Sequence, residues 1–390
     1  MPPQRRPAVV RSLRVQRPPL APLTADRLML RLPVSSLVCA AVALGASLAI
    51  GVSLEAQQNS RPRQVVPLDT ARVRQLYVSN RHEDHPVADY DAAVAGKKRT
   101  DSIFAARSVG RMTYRKTAYK SVADGLEIPV YVFSPLQPRG DRQHAAMVWV
   151  HGGVHGNWDQ NYLPFILEAV ERGYVILAPD YRGSTGYGKA FHNAIDYGGY
   201  EVDDVFTAYE FAKTIPAVDT TRVAVMGWSH GGFITNHLLF RGETPFKAGV
   251  AMVPVTNLFF RLSFKGPSYQ RSFSTQPRLQ GLPFEQREEY KRRSPYYQVD
   301  SLRTPLLVHV ATNDEDVNFE EAEPLIDALR ARKAHWAETK IYVDPTPGPA
   351  SVGHTFNRRV NRQTLERDDS PEQIDSWNLV WAFLAKHLTP

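Results

Sequence analysis

Ser229 sits in Gly227-Trp228-Ser229-His230-Gly231-Gly232, between an apolar run, Val223 to Met226, and a helix-like stretch, Phe233 to Phe240. Strand, sharp turn and helix in that order push a serine hydroxyl out over the end of a sheet. The flanking glycines leave room where the two elements pass close together. The same turn aims the His230 backbone N–H at the place where an oxyanion would form. The chemistry open to such a serine is attack on a carbonyl, which needs a base and an acid to orient that base.

Three histidines follow in the chain: His335, His354 and His387. His335 ends a helical pattern and His387 lies in a C-terminal helical stretch. His354 follows a strand-like run, Thr339 to Val343, through a loop whose prolines 345, 347 and 349 exclude regular structure. For the acid, Pro305 to Ala311 reads as a buried parallel strand ending in Thr312-Asn313-Asp314-Glu315-Asp316. Asp314 is the first carboxylate beyond the strand end, where the catalytic loops of open α/β sheets lie, and Asp316 is its rival. Serine, acid, histidine is the chain order of α/β-hydrolases. The second oxyanion donor is expected where Ala146 to Val150 runs into His151-Gly152-Gly153-Val154-His155-Gly156. Gly153 N–H is favoured there and Gly152 N–H comes next, since glycine backbone can approach a ligand closely. His151 and His155 are four apart, but glycines between them argue against a shared helical face. His82-Glu83-Asp84-His85 lacks the helical HExxH spacing, so neither a metal nor a cofactor is expected.

These residues need a scaffold, and the pattern supplies one. A hairpin is expected from Thr113 to Tyr119 and Ile128 to Phe133, turning at Asp124-Gly125. Strand and helix patterns then alternate. Tyr174 to Ala178 and Gly249 to Val253 read as strands; Val202, Val205, Phe206, Tyr209 and Ala212 share a helical face, as do Ala322, Leu325, Ile326 and Leu329, and Trp377, Val380, Trp381 and Leu384. Such alternation predicts an α/β fold, a mostly parallel central sheet with helices on both faces. Between residues 256 and 300 the pattern breaks into aromatics mixed with arginines. This stretch is expected to form a cap-like excursion lining the substrate site, with Arg261 or Arg271 pairing a carboxylate and Tyr181 and Arg182 bordering the site.

From about residue 113 to 388 the chain resembles the catalytic domain of the prolyl oligopeptidase family of serine peptidases, which includes dipeptidyl and acylaminoacyl peptidases. The resemblance rests on His151-Gly152-Gly153, Asp180-Tyr181-Arg182-Gly183-Ser184-Thr185-Gly186-Tyr187-Gly188, the Ser229 motif, Ser294-Pro295, Thr304 to Leu307 running to Asn313-Asp314, and Gly353-His354. It implies an α/β-hydrolase fold with Ser229, Asp314 and His354 as the triad. It places one oxyanion donor in the HGG loop and another at His230 N–H. Some members put a tyrosine hydroxyl in the first of these places; His151 stands there in this chain, so a backbone donor is expected. Large members carry a β-propeller ahead of the hydrolase, and the segment ahead of it here is too short for one. Peptides and small acyl compounds are the expected substrates, with a carboxylesterase as the alternative and a non-catalytic binding protein as the third reading.

Residues 1–56 carry seven arginines, no lysine and two acids, a balance of +5 that leaves +2 of the chain's +7 for the rest. The remainder has an ordinary surface, and nothing points to a nucleic-acid partner. A basic stretch, the apolar run 32–54 and Ala56 describe an export signal, giving a periplasmic or extracellular enzyme; an uncleaved membrane anchor over residues 32–54 is the alternative. Cys39 is the one cysteine and falls inside that segment, which leaves no disulfide or thiol chemistry after cleavage. Residues 57–111 are expected to form an N-terminal helical arm and 112–390 the hydrolase domain. Oligomeric state is left open by the sequence.

Overall fold

The computed structural model describes residues 88–348 and 353–389. The expected export segment, Cys39, the His82–His85 cluster and the arm before residue 88 lie outside the described residues. Among those described, no helix is long and apolar enough to cross a membrane.

The chain runs α1 (Tyr90–Ser108), β1 (Met112–Lys120), β2 (Glu127–Pro135), β3 (His144–Val150), α2 (Leu163–Glu171), β4 (Val175–Pro179), α3 (Gly188–Asn193), α4 (Tyr200–Ala212), β5 (Val218–Trp228) and α5 (His230–Leu239). It continues through β6 (Ala248–Met252), α6 (Leu258–Phe264), α7 (Pro267–Ser274), α8 (Arg287–Arg292), β7 (Leu306–Ala311), α9 (Phe319–Arg332), β8 (Ala337–Tyr342) and α10 (Pro371–Leu388). The sheet has eight strands in the order β1-β2-β4-β3-β5-β6-β7-β8. β1 and β2 form the expected antiparallel hairpin, and β2 also meets β4 antiparallel. Every pairing from β4 through β8 is parallel.

Every residue of β3, β4, β6 and β7 is buried, which is why their sequences are near-continuous apolar runs, interrupted by His144 and His309. The pleat divides each run between two cores. Ala146, Val148 and Val150 of β3 join Val223 and Val225 of β5 on one face, with Phe233 and Leu238 of α5. Ala145, Met147 and Trp149 join Ala224, Met226 and Trp228 on the other, with Phe165 of α2 and Trp377 and Trp381 of α10. The edge strands β1 and β8 are mostly exposed or half-buried instead, with Met112, Tyr119 and Tyr342 their buried residues.

Residues 256–300 fold as three short helices and a 3-10 turn, Pro295–Ser301. Leu258, Leu262, Tyr269, Phe273 and Tyr290 pack into the α5 face of the core. The segment is thus anchored to the hydrolase core and meets the Ser229 cavity only at its Lys265 edge.

Helix α1 is tied to the hydrolase by one buried ion pair. Lys97 Nζ lies 2.5 Å from Asp180 Oδ2, both side chains inaccessible to solvent, and donates to Trp158 O at 2.7 Å. Asp180 in turn accepts from Trp158 N–H and Tyr187 O–H. Removing one partner of such a pair strands the other charge in a low dielectric, so Lys97→Met is expected to destabilise the fold by about 3–5 kcal/mol. Urea unfolding checks this; a loss under about 1 kcal/mol, within the range of an exposed pair, would contradict it.

Candidate active site

Ser229 follows β5 directly, with φ 55° and ψ −118°, a left-handed position that a non-glycine residue holds only when its surroundings fix it. Its N–H donates to Met252 O at 2.8 Å, and its C=O accepts from Phe233 N–H at 2.9 Å. Gly231 allows the turn, since a Cβ there would run into the Val150 carbonyl. Trp228 locks the strand side. Its ring packs 5.5 Å from Trp149 and 5.6 Å from Trp377, and its Nε1 donates to Asn357 Oδ1 at 2.9 Å. Asn357 belongs to the loop that carries His354, so one hydrogen bond ties the serine turn to that loop.

The acid loop leaves β7 and the histidine loop leaves β8, neighbours in the sheet. Gly353, at φ 67°, packs on Asn313 so closely that a Cβ would collide with the Asn313 backbone. That contact sets His354 beside Asp314: Nδ1 lies 2.7 Å from Oδ2. Asp314 Oδ1 accepts from the Asp316 and Val317 N–H groups, both at 2.9 Å. Two backbone donors and the imidazole fix this carboxylate. Asp316 is placed differently. It is half-exposed, its Oδ1 takes Lys265 Nζ, and its Oδ2 lies 3.3 Å from His354 Nε2. Burial raises its pKa, but His354, Arg261 and Lys265 outweigh that and hold it well below the usual carboxylate range. Asp314 therefore meets the orienting nitrogen of His354, and Asp316 meets the nitrogen that a serine must use. Ser229 and His354 line one cavity of about 730 Å³, together with Gly152, Gly153, Tyr162, Lys265, Asp316 and Arg358 among others.

The two glycines separate in role. Gly152 N–H donates to the Tyr162 hydroxyl at 3.3 Å. The Gly153 C=O accepts from Tyr181 O–H at 2.8 Å and from Gly156 N–H at 3.0 Å, which fixes the chain just after the donor N–H. Gly153 N–H and His230 N–H, the latter in the first turn of α5, have no hydrogen-bond partner among the described residues and can serve an oxyanion. The His151 side chain is turned away from the cavity, stacked on Tyr181 at 4.3 Å with Nε2 on Ser184 Oγ at 2.8 Å. Burial lowers its pKa to about 4, so it is a neutral core group. His155 instead meets Gly183 O and stacks on His192.

Four expected substrate residues have other positions. Arg182 is buried and paired bidentately with Asp204 and with Asp124, at 2.8–2.9 Å. Tyr181 lies beneath the oxyanion loop rather than beside the substrate. Arg261 is buried behind Asp316, with Nε on Tyr269 O–H at 2.7 Å and NH1 3.6 Å from Glu321. Arg271 is on the exposed face of α7 and lines neither the Ser229 cavity nor the one beside it. Among the residues that line the Ser229 cavity without having been singled out for it are Tyr162, Lys265 and Arg358.

Behind the serine turn, Glu201 accepts from Gly198 and Gly199 N–H and lies 3.4 Å from His230 Nε2. Burial, with Asp196 adding, pushes Glu201 up to about 8, and burial puts His230 well below its ordinary value. The pair is therefore neutral at pH 7. Between the ordinary 4.5 and about 8 the folded chain holds a proton that the unfolded chain has lost. Stability then falls as pH rises through that window, by ~1.4 kcal/mol per unit. Glu201→Gln mimics the protonated acid and is expected to gain on the native chain at that rate in melting experiments from pH 5 to 8. A difference independent of pH would contradict the assignment.

The model of the prolyl oligopeptidase family matches residues 158–365, more than half of the chain. The chain belongs to the prolyl oligopeptidase family. Among curated proteins it is 33% identical over 259 residues to the uncharacterized peptidase YuxL of Bacillus subtilis, covering 65% of this chain and 37% of that one. It is 29% identical over 217 residues to dipeptidyl aminopeptidase BIII of Pseudoxanthomonas mexicana, covering 55% and 32%. The acylaminoacyl peptidase structure from Pyrococcus horikoshii shares the fold, with a TM-score of 0.57 at 20% identity over 74% of this chain and 43% of that one. The match thus spans less than half the length of each of these relatives.

Proposed function

We propose that this member of the prolyl oligopeptidase family is a serine hydrolase, and specifically a peptidase acting on short peptides. The observation that carries the reading is the 2.7 Å contact from His354 Nδ1 to the fixed Asp314 carboxylate, in the same cavity as a serine held at positive φ. Asp314 orients His354. His354 Nε2 takes the Ser229 proton as Oγ adds to the substrate carbonyl, and Gly153 and His230 N–H groups hold the oxyanion. The imidazolium returns its proton to the leaving amine, and the bond from the carbonyl carbon to that amine breaks. A water molecule then adds to the acyl-enzyme with His354 as base, releasing the acid and restoring Ser229. The three relatives described above are named as peptidases, which favours amide over ester substrates. A second cavity of about 680 Å³ shares Gly153, His155, Gly156 and Thr185 with the first and is walled by Tyr90, Tyr197, Tyr269 and Phe273. It suits an apolar side chain.

The test is a matched pair: an aminoacyl p-nitroanilide and the p-nitrophenyl ester of the same acyl group. Anilide turnover within a few hundred-fold of the ester in kcat/KM, lost in Ser229→Ala, supports a peptidase. Fast ester cleavage with no anilide cleavage would make the chain a carboxylesterase.

A further inference from the structure

The catalytic cavity holds two arginines, Arg358 and Arg362, that form no ion pair with a carboxylate among the described residues. Arg182, Arg261 and Arg293 are buried and each faces carboxylates: Asp204 and Asp124, Asp316 and Glu321, Asp196 and Glu289 respectively. Arg358 is only partly exposed and lines the cavity with Ser229 and His354, yet no carboxylate forms an ion pair with it among the described residues. NH1 donates to the Tyr162 hydroxyl at 3.0 Å, and the guanidinium lies over the Tyr162 and Trp228 rings at 5.8 and 5.3 Å. Its Nε is buried without a partner. Asp159 lines the same cavity and feels the Arg358 charge, which works against the larger effect of burial on its pKa, but it forms no ion pair with Arg358, and its Oδ1 accepts from the Asn161 N–H at 2.9 Å. Arg362 adds a second cation at the exposed rim.

We propose that Arg358 is the receptor for a carboxylate on the leaving side of the scissile bond. The enzyme would then release one or two residues that end in a free C-terminus. The proposal rests on the acyl-transfer reading above and narrows its substrate class.

Three observations set the ligand and the side. An aromatic-backed guanidinium with donors to spare is the geometry that binds a planar carboxylate bidentately. The Tyr162 hydroxyl accepts from Arg358 and from Gly152 N–H, so its own proton is left to donate into the same place. Arg358 comes four residues after His354 on one loop, and His354 is the group that must hand its proton to the leaving amine. The α-carboxylate of a leaving amino acid or dipeptide is within a few bonds of that amine. The cavity, at about 730 Å³, is of the size that encloses a drug-sized ligand, which fits a short peptide.

The test is a tripeptide library offered to the full chain with free and with amidated C-termini, the products identified by mass spectrometry. The native enzyme is expected to prefer the free acids by about tenfold to a hundredfold in kcat/KM, the range of a charge-assisted bond, and mainly through KM. Arg358→Gln, checked for a native melting curve, should bring the acid-to-amide ratio close to one, and Arg358→Lys should keep part of it. Equal use of acids and amides by the native enzyme would overturn the proposal while leaving acyl transfer intact. So would a preference that survives Arg358→Gln. If neither peptides nor the anilide were cleaved, the acyl-transfer reading would fall and this one with it.

Discussion

Ser229→Ala is expected to lower kcat by about 10⁶-fold, His354→Ala by about as much, and the double variant by no more than either. A nucleophile and its base work as one unit, so the second deletion removes nothing that the first has left working. A residue of about 10³–10⁴-fold over the uncatalysed reaction should persist, because the Gly153 and His230 N–H groups remain. The alanine side chain fits the turn, although the φ of 55° stays strained, so folding should be preserved. Single-turnover kinetics on the three variants check this. Additive losses in the double variant would mean that Ser229 and His354 act separately.

The second large effect separates two carboxylates that stand two residues apart. Asp314→Asn is expected to lower kcat by about 10⁴-fold, the loss seen when the triad acid becomes an amide and the imidazole takes the wrong tautomer. Asp316→Asn should change it by less than about tenfold. The reason is which nitrogen each oxygen meets. Asp314 Oδ2 holds Nδ1 at 2.7 Å, whereas Asp316 Oδ2 is 3.3 Å from Nε2 and competes there with Ser229. Removing the Asp316 charge leaves Nε2 to the serine, though it also takes one carboxylate from beside Lys265 and Arg261, so a change in KM is expected beside the small change in kcat. Steady-state kinetics decide it. The reverse ranking, a large loss at Asp316 and a small one at Asp314, would move the orienting role to Asp316.

Much of the scaffold was legible because buried parallel strands leave a plain trace. Ala146 to Val150, Pro305 to Ala311 and the run before Ser229 could be read as strands, and their ends located the nucleophile, the acid and the HGG loop. Helices α4, α9 and α10 showed in the same way, through stripes long enough to repeat. The helices of the 256–300 segment have six to eight residues, too few for a period to emerge. The positions of the substrate-site arginines are illegible in the sequence for a different reason. Arg182 and Arg261 are near the site in the chain, but Asp204, Asp124 and Glu321 claim them from elsewhere in it. Such long-range pairings leave no local signature. Arg358 has the opposite history. Next to Arg359 it reads as part of a solvated basic pair, and only the contact with Tyr162, 196 residues away, brings it into the cavity. The tie between Trp228 and Asn357 was hidden for the same reason.

The most direct test of the central claim is to label the full chain with a fluorophosphonate and map the adduct by peptide mass spectrometry. The account predicts one adduct, on the peptide that contains Ser229. It should form at least about a thousandfold more slowly in His354→Ala, since the hydroxyl then lacks its base. No adduct, an adduct on another residue, or labelling that is indifferent to His354 would contradict it.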